Sequence, residues 1–267
     1  MDAAEFRRTS RAVWEAMAPG WDDRHAYFEE IARPVRDLML QRLAPERGQT
    51  ILDLAAGTGV AGFAAAGIVG SEGHVIVSDF AERMVDAAKR HASSLGLKNM
   101  ECRVLDAEQL DLADHAVDGV ICRWGYMLMA DPAAAFRETR RVLRPGGRLA
   151  FAVFTGPEEN PWGALPAAAL VERVHMAPPE AGAPGLFALA DRSRLTGLLA
   201  PSRVLGAALR GGRLHLALRR SRRVLDVPQR GGGGDHDRPR PTRRRRATTR
   251  RPGDPRTRRG VRRAKRA

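Results

Sequence analysis

A short strand-like run, Thr50-Ile51-Leu52-Asp53-Leu54, passes directly into a loop of small residues, Ala55-Ala56-Gly57-Thr58-Gly59-Val60-Ala61-Gly62. No other feature narrows the folds open to this chain as much. Gly57, Gly59 and Gly62 satisfy the pattern GxGxxG, in which a Cβ would block the tight turn, the approach of a ligand and the packing of helix on strand. Val60 to Val69 then reads as a buried helix, Val75-Ile76-Val77-Ser78-Asp79 as a second strand and Ala81 to Leu95 as an amphipathic helix. A third strand fits Met100 to Leu105, a fourth Val117 to Cys122, and a helix Pro132 to Leu143. The turn Arg144-Pro145-Gly146-Gly147 leads to a fifth strand, Arg148 to Phe154, and helical patterns near residues 3–17 and 23–43 precede them all. Strands alternating with helices at this spacing predict a doubly wound, Rossmann-like α/β domain with a mostly parallel sheet. Its ligand crevice lies at the carboxyl ends of the strands.

Up to this point a nicotinamide dehydrogenase and an S-adenosylmethionine methyltransferase fit equally well. Asp79 closes the second strand, 22 residues after Gly57, where a carboxylate accepts from ribose hydroxyls in either case. Asp53 separates the two. Dinucleotide-binding proteins are usually apolar there, because a pyrophosphate must approach the helix N-terminus. A carboxylate instead suits a ligand that carries an ammonium and a sulfonium. Asp106, in Val104-Leu105-Asp106-Ala107-Glu108, stands at the end of the third strand as an acceptor for an adenine amino group.

Taken in order, LDLAAGTG, the strand end at Asp79, LDAEQL and RVLRPGG resemble the class I S-adenosylmethionine-dependent methyltransferases, within them the ubiquinone/menaquinone C-methyltransferase branch. The resemblance covers roughly residues 12–165. It implies S-adenosylmethionine as cofactor, with Asp53, Ala55, Gly57, Thr58 and Gly59 around its methionine part and Asp79 on its ribose. Phe80 and Met84 flank the adenine, Asp106 and Ala107 meet its edge, and Arg123 lines the pocket after the fourth strand. Many relatives carry a small polar residue at that last position. Plainer readings stay open: a surface ion pair for Arg123, a solvated face for Asp106, ordinary helix core for Met84. The segment from Trp14 to Tyr27 resembles the lid of this family, which makes Trp14, Trp21, His25 and Tyr27 candidates for shaping an acceptor pocket, with His25 a candidate base. The implied domains are an N-terminal helical lid (1–45), a cofactor-binding methyltransferase domain (46–200) and an appended tail (201–267). The implied reaction is an in-line attack on the sulfonium methyl group by a small-molecule acceptor, for which positioning and exclusion of water matter most.

Other classes fit less well. A nucleic-acid amino-methyltransferase needs Asn/Asp-Pro-Pro-Tyr/Phe after the fourth strand, where this chain has Cys122-Arg123-Trp124-Gly125-Tyr126. A cytosine C5 enzyme needs a nucleophilic Cys, and Cys122 follows Ile121 at a buried strand end. The two cysteines, Cys102 and Cys122, and the seven histidines form no metal-ligand motif, so no metal site is expected. No apolar run approaches the roughly 20 residues of a membrane span, and a soluble cytoplasmic protein is expected.

The charge of +14 is confined to one end. Residues 1–200 hold 22 Lys and Arg against 27 Asp and Glu, whereas residues 201–267 hold 23 against 4, of which 22 are Arg. Glu, Ile, Met, Phe, Trp and Tyr are absent from the tail, so it lacks the material of a packed core and is expected to be disordered. The resemblance implies two further sheet strands after a helix like Ala190 to Leu199, and the tail stands in their place, although Arg213 to Leu218 and Arg222 to Val227 are short strand candidates. A one-base shift of frame turns CGN arginine codons into GNN and lets Ser202 to Ala207 be re-read as Ala-Gly-Phe-Ser-Glu, so the tail reads as an out-of-frame product. The alternatives are a basic arm for an RNA methyltransferase, its affinity set by phosphate neutralisation, or an inactive, truncated chain.

Overall fold

The computed structural model describes residues 2–174 and 182–200. Helices α1 (Ala3–Asp23) and α2 (His25–Leu43) come first, then β1 (Thr50–Leu54), α3 (Val60–Val69), β2 (His74–Asp79), α4 (Glu82–Ser94), β3 (Met100–Val104) and β4 (Val117–Arg123). After a 3-10 turn (Tyr126–Leu128) follow α5 (Pro132–Val142), β5 (Leu143–Ala152), α6 (Pro161–Val174) and α7 (Arg192–Leu199). The strands pair in the order β3-β2-β1-β4-β5, and every pairing is parallel. This is the expected doubly wound sheet, wholly rather than mostly parallel among the described residues. The expected disorder of residues 201–267 and the strand candidates within them lie outside those residues.

Because side chains alternate across a strand, the sheet sorts its apolar residues onto two faces. Ile51, Val75, Val77, Ile121 and Ala150 pack with Met39, Leu40 and Leu43 of α2 and with Ala61, Ala65, Ala66 and Val69 of α3. Leu52, Leu54, Ile76, Val120 and Cys122 pack on the other face with Ala135, Phe136 and Val142 of α5 and with Leu195 and Leu199 of α7. The last turns of α2 are therefore core of the sheet domain. The strand order reverses between β1 and β4, and the carboxyl ends of these two neighbours, Leu54 and Arg123, open the crevice that a doubly wound sheet offers to ligands.

Three elements differ from the sequence expectation. β5 begins at Leu143, which pairs with Val117, while Gly119 pairs with Arg148; the expected turn at 144–147 is thus an excursion inside the strand, made at Gly146 with φ +82°. Helix α1 runs past Pro19 to Asp23 instead of stopping near residue 17. Proline removes a helical donor, but Ala18 is buried against Ala81 and Met84, and Trp21 stacks on Phe28 at 4.1 Å, so packing holds the last turn. Helix α6 stands where the sequence placed no element.

The loop after β4 is anchored from below. Tyr126 is fully buried, bonds the Thr139 hydroxyl at 2.6 Å and stacks on Phe136 at 4.1 Å, and Phe136 meets Phe151 edge-on at 5.5 Å. Phe136→Ala removes the middle ring of this set and is expected to cost about 3–5 kcal/mol. Urea unfolding of the variant beside the wild type checks the figure.

Candidate functional site

The glycine loop owes its shape to three left-handed residues, Ala55 (φ +53°), Gly57 (φ +57°) and Gly59 (φ +90°). A Cβ built on Gly62 would lie 2.6 Å from Val77 Cγ2, and this missing atom is what lets α3 rest on β2. A Cβ on Gly57 meets nothing within 4 Å, so this glycine borders open space. Asp53, at the end of β1, is 1 % exposed, and its Oδ2 accepts from the Gly62 N–H at 2.6 Å. Burial pushes its carboxyl up to about 7, against the pull of that hydrogen bond and of Arg123.

Asp79 ends β2 and ties two segments together. Its Oδ2 accepts from Gly57 N–H at 2.9 Å and its Oδ1 from Ala81 N–H at 3.0 Å, while burial raises its pKa. Phe80 and the fully buried Met84 pack with Ala18, Ala81, Trp14 and Trp21. Met84 is 1 % exposed, and the two tryptophans of α1 pack against its cluster. Asp106 is half-buried and accepts from Glu108 N–H at 2.9 Å, and Ala107 is buried beside it.

Helix α1 crosses above these strand ends and is held at several points. Arg7 donates to Glu108 at 2.7 Å, and Glu108 also accepts from Ala130 N–H at 2.8 Å. Glu15 accepts from the N–H groups of Glu82 and Arg83 at 2.6 and 3.0 Å, serving as an added cap for α4. Asp22 accepts from Arg90 at 2.6 Å and bonds His91 Nε2 at 2.7 Å. His91 stacks on His25, ring centroids 3.8 Å apart, and His25 Nδ1 lies 2.9 Å from the Thr58 hydroxyl in the glycine loop. Burial first, then His91, lower the His25 pKa, so its ring is neutral at pH 7. Of the four lid candidates, His25 reaches the glycine loop, Trp14 and Trp21 pack against the cluster of Ala18, Ala81 and Met84, and Tyr27 lies edge-on to Phe28 at 5.8 Å on its own helix.

Sequence reasoning missed the wall made by the loop after β4. Trp124 has φ +65°, donates its N–H to Ala152 O at 2.9 Å and stacks on Phe154 at 5.0 Å, and Phe154 meets Trp162 edge-on at 5.2 Å. A Cβ on Gly125 would lie 2.7 Å from both Ala55 Cβ and Cys122 Sγ, so the glycine allows this loop to nest against the first. These aromatics come from segments that pattern reading treats separately, and the glycine beside a tryptophan was their sole local signal. Among the described residues Arg123 does not form the surface ion pair left open above: its Nη1 is shielded from solvent and has no hydrogen-bond partner there, and its guanidinium carbon lies 5.1 Å from the Trp124 ring centre. Burial pushes the Cys122 thiol up to about 12, which removes it as a nucleophile.

Residues 45–176 match the family described as a methyltransferase domain. They resemble a class I S-adenosylmethionine-dependent methyltransferase domain. Demethylmenaquinone methyltransferase of Clavibacter sepedonicus is 36 % identical over 115 residues, covering 43 % of this chain and 45 % of that protein. The ubiquinone/menaquinone biosynthesis C-methyltransferase UbiE of Klebsiella pneumoniae is 35 % identical over 116 residues, 43 % and 46 % of the two chains. The chain spans less than half the length of these curated relatives. A chain of the complex between the Haloferax volcanii Trm112 methyltransferase activator and a methyltransferase superposes with a TM-score of 0.52 at 19 % identity, over 71 % of this chain and 75 % of its own, and shares the fold.

A carboxylate sealed as deeply as Asp53 weakens the fold wherever it is ionised. The folded pKa of Asp53 lies above its ordinary 3.8, so the stability tied to its protonated form is complete below about pH 4 and is lost as pH rises toward about 7. Asp53→Asn stays neutral throughout. It is expected to raise the unfolding midpoint at pH 8 by roughly 2–4 °C per kcal/mol relieved, with little change at pH 4. Scanning calorimetry at the two pH values checks the sign.

Proposed function

We propose that this chain transfers the methyl group of S-adenosylmethionine to a small-molecule acceptor. The observation that carries the reading is the pair Asp53 and Asp79, which close the adjacent strands β1 and β2 and bracket a glycine loop with open space at Gly57. The residues fit the cofactor in chemistry: a carboxylate for an ammonium, a second with lone pairs to spare for ribose hydroxyls, and an apolar cluster for a purine. In this reading Asp53, Ala55, Gly57, Thr58 and Gly59 surround the methionine part and Asp79 takes the ribose. Phe80 and Met84 flank the adenine, Asp106 and Ala107 meet its edge, and Arg123 lines the pocket. When bound, the cofactor supplies an electrophilic sulfonium methyl group whose departure leaves a neutral sulfur. The protein then needs no acid for the leaving group, and its task is to orient the acceptor and keep water out. Trp14, Trp21, His25 and Tyr27 serve the acceptor side, and His25, neutral and hydrogen-bonded to Thr58, takes a proton where the acceptor has one to lose. The relatives named above, a demethylmenaquinone methyltransferase and a ubiquinone/menaquinone C-methyltransferase, support the reading.

Asp79→Ala is expected to weaken S-adenosylhomocysteine binding by about 2–4 kcal/mol, since charge-assisted ribose hydrogen bonds at roughly 1.5–3 kcal/mol each are lost. It also releases the N–H groups of Gly57 and Ala81. Titration calorimetry measures the loss, and tight NADH binding by a wild type that ignores S-adenosylhomocysteine would overturn the assignment. A second expectation concerns α1: removal of residues 2–23 abolishes transfer of labelled methyl groups to a small-molecule extract while part of the cofactor affinity stays, because the glycine loop and Asp79 remain. Unchanged turnover in that variant rejects a covering role.

A further inference from the structure

Helix α2 carries His25, Glu29, Ala32 and Arg36 at spacings of four, three and four, which puts them on one stripe of the helix. Ala32 is 1 % exposed, so the stripe faces inward, and His25 at its head meets Thr58 of the glycine loop. Arg123, at the end of β4, lies within electrostatic reach of this stripe. Beyond burial and His91, its charge lowers the His25 pKa, and beyond burial the charge of Arg36 lowers its own. The two arginines differ in what they hold. Arg36 has Glu29 and Asp37, whereas the Arg123 Nη1 is sealed from solvent with nothing to donate to among the described residues. The nearby carboxylates do not supply a partner: Asp53 is bonded to Gly62 N–H, and Glu29 gives Oε1 to Arg36 while its Oε2 is itself unpartnered among the described residues. A sealed, charged donor has lost its hydration without replacement. The Trp124 ring, 5.1 Å from the guanidinium carbon, supports the charge without accepting a bond of that strength. The missing partner is an oxygen anion from outside the chain.

Two sources offer such an anion, the carboxylate of the cofactor and the acceptor, and the surroundings of Arg123 favour the acceptor. Beyond Asp53, the groups that Arg123 reaches or rests on are His25 and Arg36 of α2 and the ring of Trp124. These belong to the cover and to the wall after β4, not to the glycine loop or to the ends of β2 and β3. Arg123 thus stands between the methionine part of the reading above and the side from which an acceptor presents its reacting atom. The wall beside it is apolar: Trp124 and Phe154 are half-buried and stacked, and Trp162, edge-on to Phe154, is 41 % exposed. We propose that Arg123 is a specificity-determining anchor for the acceptor, which is an organic acid with an apolar body, its ionised oxygen on Arg123 Nη1 and its apolar part against Trp124, Phe154 and Trp162. This inference rests on the methyltransferase reading and names the substrate class of the same site. A neutral acceptor of the same shape leaves the guanidinium sealed and unpaired, and the site rejects it for that reason.

The test titrates the full chain, loaded with S-adenosylhomocysteine, with 2-naphthoate and with 2-naphthamide, its neutral counterpart of the same shape. Wild type should bind the acid about 10- to 100-fold more tightly than the amide, the range of one charge-assisted hydrogen bond. Arg123→Met should erase that preference and change the affinity for S-adenosylhomocysteine itself by less than about threefold. Arg123→Lys, which keeps the charge but not the fork, should retain part of the preference and guards against a variant that misfolds. Transfer of labelled methyl groups gives a second readout on wild type alone: an anion exchanger at alkaline pH should strip a small-molecule extract of most of its acceptor activity, and salt elution should return it. Equal affinity of wild type for acid and amide, binding of neither, or acceptor activity that passes the exchanger unretained overturns the proposal. A large loss of S-adenosylhomocysteine binding in Arg123→Met with the acid preference intact overturns it in favour of the cofactor's carboxylate. A folded wild type that does not bind S-adenosylhomocysteine overturns the methyltransferase reading itself, a result distinct from the others.

Discussion

Asp53 is charged by the chemistry proposed for it and buried by the packing around it, and much of the crevice follows from that conflict. Its carboxylate lies where Gly62 brings α3 down onto β2, so the close approach that forms the loop also strips the group of water. Burial raises its pKa, and the protein offsets this with one backbone N–H and the nearby guanidinium of Arg123. A fully satisfied carboxylate would be more stable and less able to take a cation. In the reading proposed above, that remaining capacity is what a ligand's ammonium would use.

Asp79 shows the complementary arrangement. Both of its oxygens hold backbone N–H groups, Gly57 in the loop and Ala81 at the approach to α4, so the side chain proposed for the ribose also sets the loop's position. Above it, α1 is fastened by charged groups at Arg7, Glu15 and Asp22 rather than by a wide apolar seam. Exposed ion pairs contribute little stability each, and in the reading proposed above a cover fastened in part by them would open at small cost. The histidine stack ties that cover to Thr58 of the loop itself.

The strands and the crevice were legible in the sequence, because a parallel strand buried on both faces is an apolar run and GxGxxG is a local demand on the backbone. The positions of Asp53 and Asp79 at strand ends followed from the same runs. Arg123 was legible as a crevice residue, but that its Nη1 has no hydrogen-bond partner among the described residues was not, since that depends on segments far apart in sequence. Trp124 and Phe154 were not legible as a wall: they lie 30 residues apart and meet because β4 and β5 pair with Arg123 opposite Ala152.

Local periodicity and glycine placement by themselves determined the element order, the parallel sheet and the identity of the loop, since these are properties of residues a few positions apart. Tertiary structure decided that Met84 is core shared with Trp14 and Trp21, that α1 continues through Pro19, and that His25 reaches Thr58 while Tyr27 stays on Phe28. Each of these depends on contacts between segments brought together by the sheet. A one-turn rotation of α1 or a shift in strand register would exchange the partners while leaving every local pattern intact.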